Sequence, residues 1–406
     1  MARRAALTAG APLSTLVAAE TISAFGSQLS ALAIPWFVLI TTHSPTRMGI
    51  VFATELLPLV ILGLPSGIVL DRIGARRTML LCDAARAPLI ALVPALHLAG
   101  ALTFPALLVI VLVVGVFSTP YFAAQRLAIP QVVGDDEVLV ARGNTLVEGV
   151  TNLANFAGPA AAGVLIGMIG ATSLLWIDAL TFVISFALIA AFVPARFPTA
   201  EPAEANRFLD GVRYVLSDRL ITRAAASSIL FGFVFRLLFV SFPLLAFYRY
   251  HHDPRVAGWL FAAWGGGAIL GSMAAYRIIA LARPLNVAAI AALGTALPLW
   301  LLVPDMNIAV TIAGVTLSSA AIPAINAPYI TMLSTRVPPH LQGRVFQAIM
   351  TIANLAAPLG YLVAGPIFLA VGLSVGYSII AILATVAGIN FLMAVWDSTQ
   401  LPSRMT

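Results

Sequence analysis

The 406 residues are 61% apolar and 9% charged, with a mean hydropathy of +1.00, against roughly half apolar and about a quarter charged for soluble domains. A soluble core cannot hide that much apolar surface, so soluble single-domain classes are excluded. The formal net charge of +6 rests on arginine without any lysine, and the arginines fall mainly in short gaps between apolar runs, which suits loops facing anionic lipid and not a nucleic-acid surface.

A spanning helix needs about 20 mostly apolar residues. In chain order, runs of that length are expected near 13–40, 48–70, 78–98, 104–124, 143–168 and 172–193 in the first half. The second half repeats the pattern near 221–247, 256–276, 285–303, 307–332, 345–370 and 374–396. The first run is much longer than a signal-peptide core and lacks a cleavage pattern, so it is expected to be a retained helix. Turn and charge signals such as His43-Ser44-Pro45 and Val337-Pro338-Pro339 separate the runs. Cys82 is the sole cysteine, which excludes an intrachain disulfide.

The sequence therefore predicts an all-α polytopic membrane protein of twelve spans in two pseudo-symmetric six-helix bundles. The expected divisions are an N-terminal half at 1–193, a linker at 194–220 and a C-terminal half at 221–406. Within the linker, the helical spacing of Phe208, Val212, Val215 and Leu216 predicts a short amphipathic helix on the cytosolic surface. Arg72, Arg76, Arg77, Arg142, Arg277, Arg336 and Arg344 crowd one side of the predicted topology, with Arg47, Arg249 and Arg255 opposite. That asymmetry places both termini in the cytosol. A degenerate repeat supports parallel halves: Gly67 and Gly271 lie 204 positions apart, and Arg142 and Arg344 lie 202 apart.

Between the second and third spans stands Gly67-Ile68-Val69-Leu70-Asp71-Arg72-Ile73-Gly74-Ala75-Arg76-Arg77. Gly67 permits close helix approach, Asp71 can meet a helix N-terminus or an arginine, and the arginines anchor to anionic lipid. This stretch resembles the signature loop of the major facilitator superfamily, in which Gly67, Asp71, Arg72, Gly74, Arg76 and Arg77 would form a conformational-switch loop. Gly158-Pro159-Ala160-Ala161-Ala162-Gly163 resembles the fifth-helix bend of the antiporter branch, with Gly158, Pro159 and Gly163 admitting a neighbouring backbone. Ser23-Ala24-Phe25-Gly26, Asp83-Ala84-Ala85-Arg86-Ala87, Asp178-Ala179-Leu180-Thr181-Phe182 and Gly343-Arg344-Val345-Phe346 are similar to stretches of the macrolide and enterobactin exporter branch. Two departures stand out. Ser27-Gln28 replaces the acidic residue that often follows the first-helix glycine, and the fourth span, Leu107 to Thr119, lacks the arginine of many proton-coupled relatives.

Charges inside spans are costly and hence functional candidates. Arg236 falls near the middle of the seventh span, where it is expected either to hold an anionic substrate group or to pair between helices. Glu20 and Glu55 each lie about 10 Å from a helix end and are the proton-coupling candidates, since proton and substrate can compete for one charge state. Asp83 and Arg86, three residues apart, are expected to form a structural pair. Asp178 and Glu148 are placed near span ends, within reach of water. The histidines lie in loops or at span ends and offer no metal site, and no nucleotide-binding loop, nucleophile elbow or zinc signature occurs. The resemblance implies a monomeric inner-membrane secondary transporter, not an enzyme, without cofactors. Its expected partners are a small-molecule substrate, protons and membrane lipids, with no nucleic acid. Proton-coupled export of an amphipathic molecule by alternating access, around a site between the halves, is the leading expectation. Uptake or lysolipid translocation is the alternative.

Overall fold

The structure is a computed structural model that describes the backbone of residues 2–62, 72–134, 137–194, 208–279 and 282–400, and their side chains except at 2–12, 126, 208–209, 340, 354–356 and 399–400. Two compact units divide the chain, Met1–Pro202 and Ala203–Thr406.

The first unit contains α1 (Ala2–Thr42), α2 (Pro45–Leu62), α3 (Ala75–Leu98), α4 (Phe104–Val133), α5 (Glu137–Ile169) and α6 (Ala171–Phe192). Local chemistry sets their ends. Thr103 caps α4 by accepting the Ala106 N–H, with Pro105 in the first turn, where its missing N–H costs nothing. The turn into α6 passes through Gly170 at φ 84°, a conformation that strains other L-residues. Close crossings rely on missing side chains. A Cβ on Gly26 of α1 would overlap Thr181 and Asp178 of α6, and one on Gly115 of α4 would overlap Pro58 of α2. At one end of the bundle Leu16, Met79, Cys82, Ala124 and Val147 pack into a shared apolar core.

The second unit contains α7 (Phe208–Ser217), α8 (Arg219–Tyr248), α9 (Pro254–Ile278), α10 (Pro284–Ala296, continued by a 3₁₀ turn at Leu297–Leu302), α11 (Ile308–Ala320), α12 (Ile322–Arg336) and α13 (Pro339–Gln400). Asp218 and Asn307 cap α8 and α11 through their side-chain oxygens. Gly267 and Gly271 bring α9 against α11 so closely that a Cβ on either would overlap the backbone of Thr316 or Ala320. Within α13 the helix breaks at Gly372 (φ 75°, ψ 175°), and the two arms meet where the Phe368 and Tyr377 rings lie 5.7 Å apart.

The short helix α7 belongs to the second unit and docks where Gly211 meets the Arg344 backbone. Tyr214 donates to the Arg336 carbonyl at 3.1 Å, and Arg344 faces Asp210 at 3.4 Å. Val215 is buried there, but Leu216, expected on the same apolar face, is 69% exposed.

Among the described residues, eleven helices are long and apolar enough to cross a membrane. The last of them, Leu341–Ser398, contains the Gly372 break and supplies two spans, which gives the expected twelve. Leu81, Val109, Leu180, Leu270 and Ile290 are exposed on these helices. Such continuous apolar faces are stable against lipid and unfavourable against water. The chain is an all-α polytopic membrane protein.

Candidate functional site

A buried polar cluster occupies the first unit. Asp83 and Arg86 sit on adjacent turns of α3 and form an ion pair whose side chains are 0% and 3% exposed. The second Asp83 oxygen accepts the Ser185 hydroxyl of α6 at 2.7 Å, and Ser185 lies 3.4 Å from the Tyr121 hydroxyl of α4. The Arg86 guanidinium stands over two rings, 4.1 Å from the Tyr121 centroid and 4.3 Å from that of Phe182. Helices α3, α4 and α6 thus enclose one cation, which Asp83 neutralises.

Glu20 of α1 joins this cluster. It is 3% exposed, interacts with Tyr121, Arg86 and Asp83, and has its Oε1 buried without a hydrogen-bond partner among the described residues. Asp178 forms a separate node, accepting the hydroxyls of Ser30 on α1 and Thr181 on its own helix. At 1% exposed, it does not reach water as its position near a span end suggested. The reason is that Gly26 lets α1 lie directly over it.

In the second unit, Arg236 stands mid-way along α8 and is half-buried. Its Nη1 donates to the Tyr361 hydroxyl of α13 at 3.1 Å, and a Cβ on Gly360 would stand only 2.8 Å from the Arg236 Cβ. Among the described residues it pairs with no carboxylate, whereas Arg86, Arg223 and Arg249 each do. Beside it runs an aromatic wall across α8 and α9. Phe235 and Trp264 lie 4.9 Å apart, Phe239 and Trp264 5.5 Å, and Phe239 and Phe261 5.7 Å.

The other residues singled out from the sequence are dispersed. The Glu55 side chain is exposed on α2, while its backbone carbonyl faces Gly115. Gly158 and Pro159 are buried inside an unbroken α5, where Gly158 admits the Gln28 side chain, whose amide donates to Asn155. Gly163 is buried on the same helix. Of the loop residues, Gly67 and Asp71 lie outside the described residues, Arg72 and Arg77 are exposed, and Gly74 turns into α3 at φ 81°. Arg76 donates to the Ala190 carbonyl near the end of α6 at 2.8 Å. Glu148 is exposed on α5. No three His, Cys, Asp or Glu side chains gather as metal ligands among the described residues.

Tyr121, Ser185, Ser30 and Tyr361 are the partners that sequence reading did not name. Hydroxyl residues in an apolar run give no local signal of whether they turn inward. The glycines do give one, because Gly360 directly precedes Tyr361 and lies 202 positions after Gly158, the repeat spacing already visible at Arg142 and Arg344.

Residues 16–361 match the family described as the Major Facilitator Superfamily. The chain is 26% identical over 385 residues to the multidrug efflux pump Tap of Mycobacterium tuberculosis, covering 91% of this chain and 90% of Tap. It is 25% identical over 397 residues to the MFS-type transporter YfiS of Bacillus subtilis, covering 94% and 92%. Among solved structures, the nucleoside transporter NupG superposes with a TM-score of 0.77 at 13% identity, covering 95% of this chain and 99% of NupG. A bacterial homologue of the lysosomal transporter Spinster, in an inward-facing state, superposes with a TM-score of 0.71 at 13% identity, covering 98% and 99%.

Proposed function

Because the chain belongs to the Major Facilitator Superfamily, we propose that it is a secondary transporter that exports an amphipathic small molecule in exchange for protons by alternating access. It performs no catalysis of its own and acts as a monomer in the bacterial inner membrane, with both termini in the cytosol and its arginine-rich loops against anionic lipid. The observation that carries the coupling is Glu20, a buried carboxylate inside the Arg86–Tyr121 cluster with one oxygen that has no hydrogen-bond partner among the described residues. Such a group can hold and release a proton while the neighbouring cation and hydroxyl keep the site polar. The similarity to Tap supports the outward direction.

The test uses proteoliposomes containing the full chain, a panel of fluorescent amphipathic dyes and an internal pH indicator. Dye movement should draw protons the opposite way and stop when the gradient is collapsed, and Glu20→Gln should uncouple the two fluxes. Dye export that survives collapse of the gradient, or that requires ATP, would refute the coupling. A second reading, inward movement of an acidic metabolite or a lysolipid on the same fold, draws on Arg236, which meets no carboxylate among the described residues. Transport direction in oriented vesicles separates the two.

A further inference from the structure

Resting on the reading of this chain as a small-molecule transporter, we infer that one face of α8 binds an organic anion with an aromatic body, its acid group on Arg236 and Tyr361 and its rings against Phe235, Phe239 and Trp264. Gly232, Phe235, Arg236 and Phe239 recur at helical spacing, so they share a face about 10 Å long. Three observations converge on that face.

The first is the unfilled cation. A guanidinium at mid-span is expensive unless its donors are occupied. The Tyr361 hydroxyl is the hydrogen-bond partner it has among the described residues, whereas other arginines of this unit meet carboxylates, among them Arg223 with Asp397 at 2.7 Å and Arg249 with Asp305 at 3.1 Å. Most of Arg236's planar fork is therefore left for a carboxylate, sulfonate or phosphate, which it matches in two-pronged geometry.

Next is the space. Gly232 lies one turn before Arg236, and a Cβ added there would meet nothing within 4 Å. This contrasts with Gly267, Gly271 and Gly360, all of which are crowded by neighbouring helices. The missing side chain at 232 leaves a notch beside the cation and is not explained by a helix crossing.

The aromatic wall is the third. Phe235, Phe239, Phe261 and Trp264 are half-buried, so each keeps ring surface beyond its neighbours. Fused or planar rings stack on such surfaces without needing a particular substituent pattern. Arg236 at one edge selects against cationic guests and for anionic ones, so the face reads charge at one end and ring surface along its length.

The experiment compares two dyes built on the same fused-ring system, anionic fluorescein and cationic rhodamine 123, by anisotropy titration of the purified full chain in detergent. Fluorescein should bind at least about tenfold more tightly, the worth of one charge-assisted contact. Arg236→Gln should erase the difference, Arg236→Lys, which keeps the charge and loses the fork, should keep only part of it, and Gly232→Phe should weaken both dyes by filling the notch. Equal or tighter binding of rhodamine 123, no saturable fluorescein binding, or unchanged fluorescein affinity in Arg236→Gln each overturns the inference. The wild-type comparison decides the matter even if a variant fails to fold. No gradient is present, so charge-selective binding without gradient-driven export would sink the exporter reading alone, and coupled export without charge selectivity would sink this inference alone.

Discussion

Gly158 and Gly360, 202 positions apart, do the same work in the two halves: each is the bare spot against which a polar side chain of its half's first span is seated. Gly158 of α5 receives Gln28 of α1, and Gly360 of α13 receives Arg236 of α8. Each seated side chain then bonds to a residue beside the glycine's turn, Gln28 to Asn155 and Arg236 to Tyr361. The halves thus share a scaffold and differ in its charge, with a neutral amide in one and a cation in the other.

Filling either seat should be costly. In Gly158→Ala the new Cβ would stand 2.4 Å from the Gln28 Cβ, and in Gly360→Ala 2.8 Å from the Arg236 Cβ, so the helices must separate. A loss of about 1–3 kcal/mol is expected for each, read as a lower thermal midpoint in detergent. Gly232→Ala, which meets nothing, should match or exceed wild-type stability. Equal losses at all three positions would remove the assignment of seats.

Arg86 is held by one ion pair and two rings, so removing either charged partner strands the other in a buried place. Asp83→Asn and Arg86→Gln should each cost about 3 kcal/mol or more, while the double variant should cost much less than the two losses combined. Additive losses in thermal denaturation would mean that the two side chains act independently.

Asp178 accepts one hydroxyl from Ser30 on α1 and one from Thr181 on its own helix, and the first of these makes it a clasp between α1 and α6. Asp178→Ala should lower stability by about 1–3 kcal/mol, chiefly the cost of stranding the Ser30 hydroxyl, since Thr181 keeps its 2.7 Å bond to the Asp178 carbonyl, and Asp178→Asn should recover part of it. A variant Ser30→Ala, which removes one donor with its acceptor still bonded by Thr181, should cost less than Asp178→Ala. The reverse order would place the clasp elsewhere.

Gly170 and Gly372 also lie 202 positions apart, and both turn the chain at positive φ, 84° and 75°. Neither is crowded, since an added Cβ meets nothing within 4 Å. Any loss on Gly→Ala at these turns therefore reports backbone strain alone, about 1–3 kcal/mol at each, because positive φ with ψ of 157° and 175° is a conformation only glycine adopts readily. Unchanged melting of both variants would show that the turns relax into another conformation.

Much of this protein was written along the chain. The twelve spans, their two groups of six and the 202-residue offset between halves follow from apolar run length and from repeated Gly and Arg positions, which are local properties. A helix must cover the bilayer thickness whatever it packs against, so its length is legible one residue at a time. Arg236 and Glu20 could likewise be picked out as costly charges in apolar runs.

What those charges meet was decided by tertiary structure. The sequence places Asp178 within reach of water, yet Gly26 of a helix more than a hundred residues earlier lets that helix cover it. Helical spacing puts Leu216 on an apolar face, yet α7 docks through Gly211 and Val215 and leaves it outside. Tyr121, Ser185 and Tyr361 became partners only once helices distant in sequence were rotated into register. Hydropathy measures how apolar a run is and leaves its rotation about its own axis free. That angle is set by the steric fit of glycines against particular side chains, and with it the choice of which polar groups face one another.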